Sequence, residues 1–261
     1  MDWNATGFYF AYFMFCWLCV ATYVSVILHR CLSHRAVLLP QWFIEGVMAF
    51  TASFILYVNP RVWVAEHRLH HTHSDTDEDP DKKPGWSLFK FITWSIFNPA
   101  GPHDEHVERI TREPALNTPL MRLYSNPPFG FFCQMVSGWF LPYALTRSFW
   151  PTFAMWWGIR LGGLVVKSIQ GYFAHNKAYG YRNFETDDSS VNCNGWFATF
   201  MSAGESLQNN HHARPTSPIH AFKAGERDFG YALVWAYKAL GLATLPQKNT
   251  VTPVPEVAAT A

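Results

Sequence analysis

Apolar and polar residues fall in long blocks along this chain, and the blocks set the elements it predicts. Residues 7–28 carry no charge, which as a helix is long enough to cross a bilayer core of about 30 Å. No Lys or Arg precedes that run, whereas Arg30 and Arg35 follow it, so the positive-inside rule sets residue 29 in the cytoplasm. The next apolar run, 46–58, bordered by Glu45, would be about 20 Å long as a helix and too short to span. It reads as a helix dipping into the membrane. Residues 75–128 are polar, with a short amphipathic piece at 86–97. Runs 129–145 and 149–166 then flank a three-residue turn containing Arg147, the pattern of a transmembrane hairpin. On an α-helix Arg160, Lys167 and His175 fall within about 80° of each other, a face directed into protein rather than lipid. Residues 195–204 are again too few to cross. Residues 228–242 place Phe229, Leu233, Ala236 and Leu240 on one interfacial face.

The expected fold is therefore an all-α membrane protein. It has three transmembrane helices, one membrane-dipping helix and a cytoplasmic helical cap holding a two-metal site. Residues 1–245 form one integral-membrane domain, and 246–261 a disordered Thr/Pro/Val/Ala tail. Composition agrees: 49% of the residues are hydrophobic and only 15% charged, against about 25% charged in soluble domains. The formal net charge of +1 offers no basic footprint for nucleic acid. Five cysteines, an odd number, do not suggest a disulfide framework. Cys16 and Cys19 sit inside the first apolar run and read as packing.

Candidate chemistry gathers where the apolar blocks end. In 64–80, VAEHRLHHTHSDTDEDP, His67, His70 and His71 stand at i, i+3, i+4 and share one helix face. The run of Asp75, Asp77, Glu78, Asp79 and Asp81 follows at once. His29 and His34 follow the first span, His175 ends the last, and Gln208, His211 and His212 repeat the i, i+3, i+4 spacing with Gln in first place. Eight imidazoles exceed the six ligands one ion takes, which argues for two metals. His29 and His34 are five apart, about 140° around an α-helix, so either the helix ends between them or they reach different metals. Asp75, Asp79, Glu205 and Arg160 are candidates to support the ligating rings from behind. His73, His103, His106 and His220 match no cluster and are assigned to the surface.

Together these motifs carry a resemblance. HRCLSH at 29–34, the 63–80 stretch with its S-D-T-x-x-D-P, GYRNFET at 180–186 and GESLQNNHHARP at 204–215 resemble the three histidine boxes of the membrane-bound fatty-acyl desaturases. The short bacterial acyl-CoA and acyl-lipid enzymes are the most similar, over about residues 20–240. The resemblance implies two Fe ions held by His29, His34, His67, His70, His71, His175, His211 and His212, with Gln208 as a further ligand. It implies dioxygen-dependent removal of two hydrogens from neighbouring carbons of an acyl chain carried on CoA, lipid or carrier protein. With no flavin, dinucleotide or haem motif in the chain, electrons would come from a separate ferredoxin or b-type cytochrome. The site would face the cytoplasm, in a bacterial inner membrane rather than the endoplasmic reticulum. Two positions depart from the family. Gln208 stands where the third box usually begins with His, and Gly171 where an Asn often supports a metal-bound water; Gln170 or Asn176 would have to substitute. The alternatives are a related histidine-box hydroxylase or oxygenase, and a non-catalytic metal-binding membrane protein.

Overall fold

The computed structural model describes residues 3–81, 83–97 and 105–246. Its first helix, α1 (Trp3–Val20), runs without a break into a π-helical stretch, Ala21–Ser33. Among the described residues Phe10–Ser33 is the one helix long and apolar enough to cross a membrane. The π stretch answers the question left by His29 and His34. Closure of i to i+5 stacks residues five apart, and His34 N–H indeed bonds His29 C=O at 3.1 Å. Both rings therefore lie on one face, with centroids 4.9 Å apart.

The short run forms α2 (Gln41–Phe54), which starts earlier than its apolar residues because Pro40 is extended and α2 begins just after it. Ile44, Met48 and Ala52 bury against Tyr23, Ile27 and Leu28 of the π stretch and against Val64 and Leu69 of α3 (Pro60–His73). Asn59 caps α3 by accepting from Val62 N–H, with Pro60 in the first turn, where its missing N–H costs nothing. Helices α4 (Leu88–Phe97), α5 (Glu105–Thr111) and α6 (Pro119–Tyr124) follow.

The two later apolar runs form a helical hairpin, though its arms are not uniform. The first joins α7 (Pro127–Cys133), a π turn (Gln134–Phe140) and α8 (Leu141–Thr146). Arg147 turns the chain in the left-handed region, φ 55°, and α9 (Phe149–Lys167) returns into another π turn, Ser168–Phe173. That turn lies between Arg160 and His175, and the 15 positions separating them rise about 20 Å along the helix axis. Arg160 consequently does not stand behind the histidines. Its Nη1 donates to Trp156 C=O at 2.6 Å, its Nη2 to Gln134 Oε1, and its guanidinium lies 3.4 Å from the Trp156 ring centre.

The remaining elements are α10 (Trp196–Met201), α11 (Gln208–Ala213) and α12 (Phe229–Ala239). The tail beyond residue 246 lies outside the described residues, as do His103 and the side chain of His106. Helix α12 packs inward by a face other than the one expected at the membrane interface. Gly230 and Val234 turn inward, and Tyr237 bonds Thr22 through its hydroxyl at 2.6 Å. Leu240 is left 71% exposed and Trp235 65%. A side chain at 230 would collide with Ala203 C=O and with Arg30, so the glycine sets which face approaches the π stretch.

Candidate metal centre

Four elements bring the eight clustered histidines together. The π stretch supplies His29 and, just past its end, His34; α3 supplies His67, His70 and His71; the end of the second hairpin arm supplies His175; α11 supplies His211 and His212. The rings sort into two groups. His29, His34, His67, His71 and His211 offer ligand atoms all within 4.8 Å of one another, and His70, His175 and His212 do the same. In the first group His29 Nε2 and His71 Nε2 lie 2.9 and 2.8 Å from His211 Nε2, and His34 Nε2 lies 2.8 Å from His67 Nε2. Two nitrogens each about 2.1 Å from a shared ion are separated by a comparable distance.

Carboxylates stand behind the rings. Asp79 accepts from His70 Nδ1 at 2.9 Å, Asp75 from His175 Nδ1 at 3.2 Å and Asp188 from His212 Nδ1 at 2.5 Å. An Nδ1–H engaged in this way leaves a lone pair on Nε2. In the second group three lone pairs therefore converge, and His212 Nε2 is buried with no hydrogen-bond partner. A cation fits that arrangement and an empty apolar core does not. Although burial opposes it, the hydrogen bond and charge of His70 hold Asp79 below the usual carboxylate range. His212 does the same for Asp188, with Ser190 and Thr186 adding hydrogen bonds.

In the first group Glu205 Oε2 lies 2.7 Å from His29 Nδ1. Ala203 (φ 53°) and Gly204 (φ 88°) make the tight turn that swings Glu205 inward. Gly204 also passes so near Asp228 that a Cβ would fall 2.5 Å from its Oδ1. Arg30 anchors the whole underside. It bonds Glu205 and Ser25 through Nη1, Asp228 Oδ1 at 2.9 Å and His220 Nδ1 at 3.0 Å through Nη2, and Pro218 C=O through Nε at 3.1 Å.

Two of these residues escaped the sequence reading. His220, assigned to the surface, is 1% exposed and its ring centre lies 4.7 Å from that of His211; its partner Arg30 is far away in sequence, so no local pattern marks it. Asp188 did leave a signal, an acidic pair following His175 as Asp75–Asp79 follows His70. Gln208 is buried at the start of α11. At Gly171 the space for a side chain is taken by Asp81, whose Oδ2 lies 2.5 Å from the Cβ position. Gln170 lines the same cavity, whereas Asn176 caps the next turn through Ala178 N–H.

That cavity, about 920 Å³, runs from Tyr12, Trp17, Val24, Met155 and Leu164 to His29, His67, His70, Glu205 and Gln208. It offers an apolar slot ending on imidazoles, the shape needed to present a hydrocarbon chain to a metal. Against this geometry, the model of the fatty acid desaturase family matches residues 7–237. The chain belongs to that family. Among its relatives, an sn-1 stearoyl-lipid 9-desaturase of Anabaena variabilis is 29% identical over 87% of this chain and 79% of its own. A Delta-9 desaturase-like 2 protein of Arabidopsis thaliana is 30% identical over 83% and 69%. An sn-1 stearoyl-lipid 9-desaturase of Synechocystis is 27% identical over 93% and 71%. The protein is accordingly a desaturase, an oxidoreductase with a fatty-acyl substrate.

The buried rings make the metal-free desaturase acid-sensitive. Burial, with neighbouring rings and arginines adding to it, holds His34, His67, His71, His211 and His220 well below the ordinary imidazole value. Burial lowers His212 to about 4, with Asp188 opposing. The unfolded chain takes up protons below about pH 6.5 that these folded rings refuse. Stability is therefore lost as pH falls from there toward 4, on the order of 1 kcal/mol per pH unit per ring. His70 runs the other way: burial would lower it, but Asp79, with Asp81 and Asp75, outweighs that and raises it. Six rings against one leave a net loss. Melting of chelator-stripped protein in detergent at pH 7 and pH 5 measures it, and equal midpoints would exclude this account.

Proposed function

We propose that the protein is an integral-membrane, dioxygen-dependent di-iron desaturase acting on acyl chains of membrane lipids, with a stearoyl chain and its ninth carbon as the leading target. The substrate reading is supported by the printed functions of the cyanobacterial relatives. The observation that carries the rest is the pair of imidazole groups at the polar end of an apolar cavity. His29, His34, His67, His71 and His211 would hold one ion, and His70, His175 and His212 the other. Bound iron would supply the oxidising power to remove hydrogen from an unactivated methylene, which no side chain possesses. The protein's part is to bind and orient. Trp17, Val24 and Leu164 hold the chain straight and exclude water, Glu205, Asp75, Asp79 and Asp188 fix His29, His175, His70 and His212 so that Nε2 faces inward, and the cavity's depth selects the carbon presented.

Three crossings are proposed, Phe10–Ser33 and the two hairpin arms, with α2 half-buried and the histidines on the cytoplasmic side of a bacterial inner membrane. Exposed Phe131, Phe132, Phe140, Leu145 and Trp150 on the hairpin support a lipid-facing surface. Electrons would arrive from a separate ferredoxin or b-type cytochrome.

Expression in a host without its own desaturation, followed by chromatography of fatty-acid esters from the lipid fraction, tests the reading. The expected product is a monounsaturated C18 ester that disappears when oxygen is withheld. Saturated esters alone in both cultures, or a hydroxylated product, would overturn it.

A further inference from the structure

We propose that the two ion positions are unequal: the three-imidazole position exchanges its ion with solution while the five-imidazole position retains its own, so that iron supply controls the enzyme through the weaker position. This rests on the two-metal reading above.

The inequality begins with donor number, five rings against three. The repeated spacing shows where the shortfall falls. On α3 the i and i+4 residues, His67 and His71, go to the same group, and the i+3 residue, His70, goes to the other. On α11 the i+3 residue, His211, belongs to the five-ring group and the i+4 residue, His212, to the three-ring group. On α3 the i residue goes with i+4 and not with i+3, and by the same sorting residue 208 is assigned with His212. That residue is Gln208, and its amide oxygen is a poorer donor to a transition metal than imidazole. The loss falls entirely on the smaller group.

The smaller position still loads. Each of its rings is backed by a carboxylate, Asp79, Asp75 and Asp188, which raises ring basicity and draws a dication. In the larger group Glu205 stands behind His29, but the same carboxylate is bonded to Arg30, so its charge is already matched. Fewer donors, each made stronger, give an ion that binds and leaves. The cavity reaches both positions, His29 and His67 of the larger and His70 of the smaller, so donor number and not access sets the difference.

The test uses purified full-length protein in detergent, loaded anaerobically with ferrous ion and mixed with excess ferrous chelator, with chelate absorbance followed in time. Two phases are expected, each of one ion per chain, their rates separated by about 10-fold or more. Gln208→His should slow the fast phase toward the slow one. Asp188→Asn should speed the fast phase by about 10-fold or more and leave the slow phase unchanged. A single phase releasing both ions, or a Gln208→His protein with an unaltered fast phase, would overturn the inequality while leaving the two-metal reading intact. A wild-type protein that takes up no iron would remove both.

Discussion

Replacing His211 with Ala is expected to abolish desaturation, a loss of at least about 100-fold, in protein that still inserts into the membrane. His211 is the ring through which the helices meet. It is fully buried, and its Nε2 reaches His29 of the π stretch at 2.9 Å and His71 of α3 at 2.8 Å. Removal takes one donor from the five-ring group and also the contact that keeps the other two facing inward. The apolar packing of α2 against the π stretch does not involve it, so folding should survive. Ester chromatography, with the membrane fraction probed for the protein, decides the matter; undiminished product from His211→Ala would mean that this group of rings is not where the chemistry occurs.

The largest effect on stability should come from Arg30→Met. Arg30 is 1% exposed and faces two buried carboxylates, Glu205 and Asp228. Breaking one side of a buried ion pair typically costs about 3–5 kcal/mol, because the partner is left charged and uncompensated. Denaturation of the purified protein in mixed micelles should show a loss of that order. Adding Glu205→Gln to Arg30→Met should recover part of it, since one stranded charge is then gone. A single variant with the wild-type midpoint would show that Arg30 is dispensable to the underside of the site.

The clustered histidines were legible in the sequence because their spacing is local: His67, His70 and His71 share a face in any α-helix, and α11 repeats the pattern with His211 and His212. The all-helical class and the hairpin followed from the lengths of the apolar runs. The division of the rings between two groups was not legible, because it depends on how α3 and α11 cross. Arg160 faces the same way as His175 by periodicity but lies about 20 Å along the helix axis from it, where it bonds Trp156 and Gln134 instead. His220 could not have been found, since a histidine 190 residues from the arginine that orients it leaves no periodicity behind. The packing face of α12 was set by what Gly230 permits and not by its apolar stripe.

The winding of Ala21–Ser33 has a consequence for how such chains are compared. The gap between the first two donors is five where the later motifs use three and four, and that extra residue is the imprint of a wider coil. Spacing between donors thus works as a gauge of local pitch. A relative that shortened the first gap by one would have to rewind this segment to keep both rings in the same group.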